Sequence, residues 1–129
     1  VIVGENCVVG NSTELKNAIL FNNVQVPHFN YIGDSILGFK AHFGAGSIVS
    51  NVKSDKSNVS VLINGNKTDA GLRKFGAIVA DYVEIGCNAV LNPGTIFGRN
   101  SNVYPTSMVR GIIGENMIFK AQNNIVKKI

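Results

Sequence analysis

The stretch VADYVEIGCNAVLNPGTIFGRNSNVYPTSMV, residues 79–109, decides the fold. From Val79 onward every sixth residue is apolar: Val79, Ile85, Leu91, Phe97, Val103 and Val109. The second place is Gly at Gly86 and Gly98, and the fifth is small at Ala89, Thr95, Ser101 and Ser107. An amphipathic helix would repeat its apolar residues at three and four, and a half-buried strand at two. A period of six is produced when three short strands form one triangular coil. The first place of each hexad then points inward and stacks on its equivalents in the coils above and below. The fifth place also faces inward, beside a corner where only a small side chain fits. Asn88, Asn92, Asn100 and Asn102 supply residues that tolerate the unusual backbone angles of corners. The pattern predicts an all-β protein, a parallel β-helix of hexapeptide repeats.

Outward from this block the pattern recurs. VGENCV begins at Val3 and VGNSTE at Val9, reaching Leu15; LGFKAH begins at Leu37 and FGAGSI at Phe43, reaching Val49. Between the two runs the frame passes through Leu20, Val26 and Ile32 and slips by one residue twice, which predicts a local bend like that of a bulge. Hexad coils therefore occupy residues 1–49 and 77–110. Residues 50–76 break the pattern and are polar. VSVLI and the turn pair Asn64-Gly65 predict a small hairpin projecting from the prism. Such an insertion adds closure entropy without adding stacking, so it either carries function or covers an edge. Residues 111–129 have no hexad and are expected to lie along the outside as a capping tail. The whole is one domain, 1–129, and its opening on Val1 rather than Met suggests part of a longer chain.

Composition agrees. Hydrophobic residues are 45% of 129, aromatics 8%, charged residues 16%, and Trp is absent, which excludes a disordered or coiled-coil chain. No apolar run has the length of a membrane span and no signal-peptide pattern opens the sequence, so no membrane role is expected. Two cysteines, Cys7 and Cys87, make neither a disulfide framework nor a zinc motif, so a reducing cytoplasm and no metal are expected. The formal charge of +4 comes from scattered lysines without an aromatic platform, so nucleic acid is not the expected partner. Anionic small molecules suit that charge.

One block is more specific than the hexads. PHFNYIGDSILGFKAHFGAGSIVSN, residues 27–51, places His28, Tyr31, Gly33 and Asp34 ahead of the Gly44-Ala45-Gly46 turn and Asn51. It resembles the C-terminal domain of bifunctional N-acetylglucosamine-1-phosphate uridyltransferase and glucosamine-1-phosphate acetyltransferase. GLRKFGAIVADYVEIGCNAVLNPG, from Gly71, resembles short stand-alone relatives named UDP-N-acetylglucosamine pyrophosphorylases. The resemblance implies a left-handed coil and an acetyl-CoA-dependent N-acetyltransferase acting on an amino-sugar phosphate, linked to UDP-N-acetylglucosamine biosynthesis. It implies His28 as general base, Asn51 as an orienting residue, and the backbone N–H of Ala45 facing the thioester oxygen. It also implies Lys16, Tyr31 and His42 at the sugar phosphate, and Ala45, Cys87 and Pro105 at acetyl-CoA. Sites between subunits of a homotrimer follow from the same resemblance. The family often has Asn where this chain has His42, and Ser where it has Cys87. Nucleotidyl transfer is not expected from this chain alone.

Elementary chemistry supports these roles. An amine acceptor is mostly protonated near neutral pH, so a base with a pKa near 7 is useful, and histidine has that unperturbed value. His28 follows the inward Val26 by two places and should point outward. Small residues at Gly44-Ala45-Gly46 let a ligand approach a backbone donor. Read singly, without the surrounding block, His28 reads as a hydrogen-bonded surface residue and Lys16 as a solvated charge, and Tyr31 could be an interface aromatic. Asn51 could be a plain corner. His42, at the sixth place of its hexad, reads as an exposed turn residue, and Cys87 as a small buried or half-buried one with no base beside it. Two other functions remain open on sequence: a non-catalytic trimerising tail of a sugar nucleotidyltransferase, and a regulatory module that binds ligand without turnover.

Overall fold

The computed structural model describes residues 1–129 and contains β-strands and turns but no helix. The first coil runs through β1 (Ile2–Val3), β2 (Val8–Asn11) and β3 (Glu14–Lys16). The second runs through β4 (Ile19–Leu20), β5 (Gln25–His28) and β6 (Tyr31–Gly33), and the third through β7 (Ile36–Leu37), β8 (His42–Phe43) and β9 (Ile48–Val49). The chain then leaves the prism for an antiparallel hairpin, β10 (Ser60–Ile63) and β11 (Asn66–Asp69). It returns for β12 (Ala77–Val79), β13 (Glu84–Ile85) and β14 (Val90–Leu91), then β15 (Thr95–Phe97), β16 (Asn102–Val103) and β17 (Met108–Val109). Last come β18 (Ile112–Ile113) and β19 (Met117–Ala121), with β20 (Asn124–Lys127) folded back antiparallel on β19.

Equivalent strands stack in parallel into three sheets. The first face is β1-β4-β7-β12-β15-β18, the second β2-β5-β8-β13-β16-β19-β20, and the third β3-β6-β9-β14-β17. The inward places form one column per face: Leu20, Leu37, Val79, Phe97 and Ile113 behind the first; Val26, Phe43, Ile85, Val103 and Phe119 behind the second; Ile32, Val49, Leu91 and Val109 behind the third. All are buried in one core. Burying one such side chain is worth about 1.5–3 kcal/mol, so the stack dominates stability. The first coil has a neighbour on one side only, and its inward Val3 and Val9 stay exposed.

Each corner bends through a residue with positive φ, such as Asn6, Asn23, Asn88, Asn100 and Asn116. Asn tolerates this region better than most side chains. The frame slips are located at the corners between the third and first faces. Leu15 to Leu20 and Ile32 to Leu37 are one residue short because Asn17 and Asp34 make tighter turns there. The expected bend does not occur: β4 and β7 keep unbroken parallel register, Ile19 against Ile36 and Leu20 against Leu37. The corner absorbs the missing residue, so the strands do not bulge.

The tail also departs from expectation. Residues after 110 are not outside the repeat; β18 and β19 pair in parallel with β15 and β16, and Ile113 and Phe119 extend the core column. The hexad count hides this because Val109 and Ile113 are joined by a corner two residues short, turned at Gly111 with φ of 97°. β20 then covers the last edge.

Outside the first face an in-register ladder of isoleucines runs the length of the prism: Ile2, Ile19, Ile36, Ile78, Ile96 and Ile112. Five of them are exposed, between 37% and 65%.

Candidate functional site

The edge between the second and third faces gathers several of the singled-out residues. β5 ends at His28, and the chain turns at Phe29. The next coils turn at Gly46, Asn88 and Thr106. Corner bonds fix the stack: the Phe29 N–H donates to Asn11 O (2.9 Å), Gly46 to His28 O (3.0 Å), Asn88 to Ala45 O (2.9 Å) and Thr106 to Cys87 O (2.9 Å). His28, Ala45, Cys87 and Pro105, scattered in sequence, therefore stand one above another on one edge. His28 is exposed and Ala45 half-buried. The Ala45 N–H donates to no acceptor within the protein. It is a fixed backbone donor free to meet a developing oxyanion.

Glycine is required here. A Cβ on Gly44 would fall 2.7 Å from the Cys87 N, and one on Gly46, where φ is 74°, would strike the Asn88 side chain and the Phe29 ring. The turn lies flat because it lacks side chains, and it leaves the Ala45 amide accessible.

Asn30, which sequence reading did not single out, ties this edge together. It is 2% exposed. Its Nδ2 donates to Gly44 O (2.8 Å) and Ser47 Oγ (3.0 Å), and its Oδ1 accepts from the His28 N–H (3.2 Å). It thus links the histidine backbone to the glycine turn of the next coil. The available signal was its place: it occupies the fifth position of its hexad, where Thr13, Ser47, Ala89 and Ser107 are all smaller.

A second cluster occupies the edge between the third and first faces. The Asn51 Nδ2 donates to Tyr31 Oη (3.2 Å) and Asp34 Oδ2 (2.5 Å), and Asn17 Nδ2 to Asp34 Oδ1 (3.3 Å). A Cβ on Gly33 would collide with both Asn51 and Tyr31, so the pair closes over a bare backbone. Exposed Lys16 lies in register with Gly33 on β3. Asp34 is a further member that the sequence motif contained but no role was assigned to. Asn51 contacts Tyr31 and Asp34, not His28. The chain takes six residues from His28 to Asp34, about 20 Å at roughly 3.3 Å per residue.

Two placements differ from expectation. His42 is not a turn residue. It lies within β8 on the outside of the second face, and its Nδ1 meets Glu84 Oε2 at 2.7 Å across the coil step. The alternation that sends Phe43 inward sends His42 outward, in register with Gln25 on the strand that ends at His28. Cys87 is exposed, not buried or half-buried, because it sits on the corner beside Gly86 and outside the inward column. No group of three or more His, Cys, Asp or Glu is arranged to hold a metal ion, and no helix is long and apolar enough to cross a membrane.

No protein-family model matches the chain. Over 128 residues, 98% of the chain, it is 37% identical to the bifunctional protein GlmU of Methanococcus vannielii, spanning 31% of that protein. Over 119 residues, 92% of the chain, it is 32% identical to the bifunctional sugar-1-phosphate nucleotidylyltransferase/acetyltransferase of Sulfurisphaera tokodaii, spanning 30% of it. The chain thus spans about a third of the length of these curated relatives. Among solved structures, the acetyltransferase domain of PglB from Neisseria gonorrhoeae, in complex with acetyl coenzyme A, superposes with a TM-score of 0.72 at 16% identity, covering 98% of this chain and 50% of that one. A mutant of AntD, an N-acyltransferase from Bacillus cereus in complex with dTDP and coenzyme A, gives 0.60 at 18% identity, covering 97% and 80%. The shared fold is the left-handed parallel β-helix expected from the hexads and the family resemblance.

Proposed function

The chain is a homologue of the bifunctional GlmU proteins over about a third of their length, and we propose on that footing that it transfers an acetyl group from acetyl-CoA to the amine of an amino-sugar phosphate such as glucosamine-1-phosphate. The observation that carries this reading is the edge on which His28, the unengaged Ala45 amide, Cys87 and Pro105 stack. His28 accepts a proton as the sugar nitrogen attacks the thioester carbonyl. The Ala45 N–H stabilises the oxyanion of the tetrahedral intermediate. Collapse breaks the C–S bond, releases the coenzyme A thiolate to be protonated, and leaves the amide. Cys87 and Pro105 line the donor's path, and Lys16, Tyr31 and Asn51 hold the acceptor. His42, held by Glu84, is the weakest member of the acceptor set.

The assembly is a homotrimer with each site between neighbours. Two features support this. The two clusters occupy opposite edges of the third face, so one chain does not enclose a substrate between them. The exposed isoleucine ladder offers an apolar face of the length of the prism. Two unpaired cysteines suit a cytoplasmic enzyme.

Thiol release from acetyl-CoA, measured against a panel of amino-sugar phosphates, tests the reaction. Turnover should fall at least about a hundred-fold in His28→Ala, the ordinary contribution of a general base, while the circular dichroism of the fold is unchanged. Full turnover in that variant would remove His28 from the mechanism. Acetyl-CoA binding without turnover on any amino sugar would make the domain a non-catalytic module.

A further inference from the structure

The insertion hairpin and the edge between the third and first faces enclose an open cleft of about 440 Å³. It is lined by Lys53, Lys67 and Arg110, with Ser54, Ser60 and Asn92 between them. The chain's two ion pairs, His42–Glu84 and Arg99–Glu115, use none of these cations. The single carboxylate in the cleft is Asp55. Its Oδ1 is already engaged by the Ser57 hydroxyl (2.7 Å) and N–H (3.0 Å), and these bonds hold its pKa below the ordinary carboxylate value. Three cations against one occupied carboxylate leave an excess of positive charge in a cavity walled by hydroxyls and an amide.

The cleft also has a fixed wall. Val59 is fully buried at the base of the hairpin, where its N–H donates to Leu72 O and its carbonyl accepts from Ala70. Val52 bridges Lys74 across the same base. A Cβ on Gly94 would fall 2.6 Å from Ser60 O, so the hairpin rests directly on the prism corner. A solvated loop that merely covered an edge would not require three cationic residues along the wall of one cleft.

We propose that the cleft binds a phosphoester anion through Lys53, Lys67 and Arg110. Two ligands of the proposed reaction carry such groups, the acyl donor at its nucleotide end and the amino-sugar phosphate. Within one chain the cleft is separated from His28 by the width of the third face, about 20 Å, and by two or three coil steps of about 4.8 Å. In the proposed site the acceptor's phosphate is already held by Lys16 with Tyr31 and Asn51, whereas the pantetheine arm carries the donor's phosphates well away from the thioester that meets His28. The donor is therefore the assigned source, an assignment that rests on the acetyl-transfer reading; the anion site itself does not.

Calorimetric titration with adenosine 3′,5′-bisphosphate and with glucosamine-1-phosphate tests it, on the full chain and on a Lys67→Ala, Arg110→Ala variant. Both side chains are exposed and unpaired, so the variant should keep the wild-type melting temperature. The bisphosphate should bind wild type, more weakly as salt rises, and the variant should bind it about a hundred-fold less tightly, roughly ten-fold per charge-assisted contact removed. Lys127→Ala, a charge change of the same sign outside the cleft, should bind like wild type. Weakening confined to glucosamine-1-phosphate would keep the anion site and give it to the acceptor of a neighbouring chain. Failure of wild type to bind either probe, or equal binding by wild type and variant, would overturn the proposal. Intact bisphosphate binding with no acetyl transfer to any amino sugar would instead sink the proposed reaction and leave the cleft standing.

Discussion

Replacing Asn30 by Ala should weaken the fold and the proposed catalysis together. The substitution removes the bonds from Nδ2 to Gly44 O and Ser47 Oγ and the acceptor for the His28 N–H. Each such bond is worth about 1 kcal/mol net, and a buried group left without a partner costs about 1–3 kcal/mol. Gly44 O does not become an orphan, because Ser47 Oγ also donates to it at 2.8 Å. The His28 N–H loses the carboxamide oxygen outright. The sum is a loss of about 2–4 kcal/mol, read as a lower urea midpoint at unchanged slope. Because Asn30 joins the histidine segment to the Ala45 turn, kcat for acetyl transfer should fall at least ten-fold, a loss of about 1.4 kcal/mol of transition-state stabilisation, with a smaller change in KM. Asn30→Asp, which retains an acceptor for His28 but cannot donate to Gly44 O when ionised, should lose more stability as pH rises through the carboxylate range. A loss of stability below about 0.5 kcal/mol in Asn30→Ala with kcat intact would refute the positioning role.

Other consequences follow from the same geometry. Phe97→Ala, at a site 1% exposed in the core column, should cost about 3–5 kcal/mol by calorimetric or denaturant unfolding; a loss near 1 kcal/mol would mean the column repacks around the gap. Exposed Cys87 stands on the His28 edge, so a bulky thiol reagent should abolish acetyl-CoA-dependent turnover, acetyl-CoA should protect against it, and Cys87→Ser should be insensitive. Modification of Cys87 that leaves turnover intact would move the donor to another edge. Ile36→Lys with Ile78→Lys places two charges on the outward ladder. Light scattering should show a smaller assembly while the chain stays folded, since outward strand positions change stability by only about 1 kcal/mol; an unchanged mass would clear the first face of any part in assembly.

The six-residue period determined the three-sided parallel coil, though not its hand, because inward pointing is a local property of each short strand. Val79, Ile85, Leu91, Phe97, Val103 and Val109 had to share an interior once strands of that length turned at Asn-rich corners. The motif around His28 and Gly44-Ala45-Gly46 likewise marked the edge proposed for catalysis. The lateral register of the coils was beyond local pattern. It depends on corner lengths and on how far an insertion displaces the count, quantities that accumulate along the chain. Cys87 and Pro105 reach the His28 edge only because the chain from Ser50 to Gly76 leaves and re-enters at one corner. The four-residue step from Val109 to Ile113 hid the sixth coil for the same reason. Outward residues carry no periodic constraint, so the exposure of Cys87, the His42–Glu84 pair, the Asn51–Tyr31–Asp34 cluster and the cationic cleft were decided by which coils met in space.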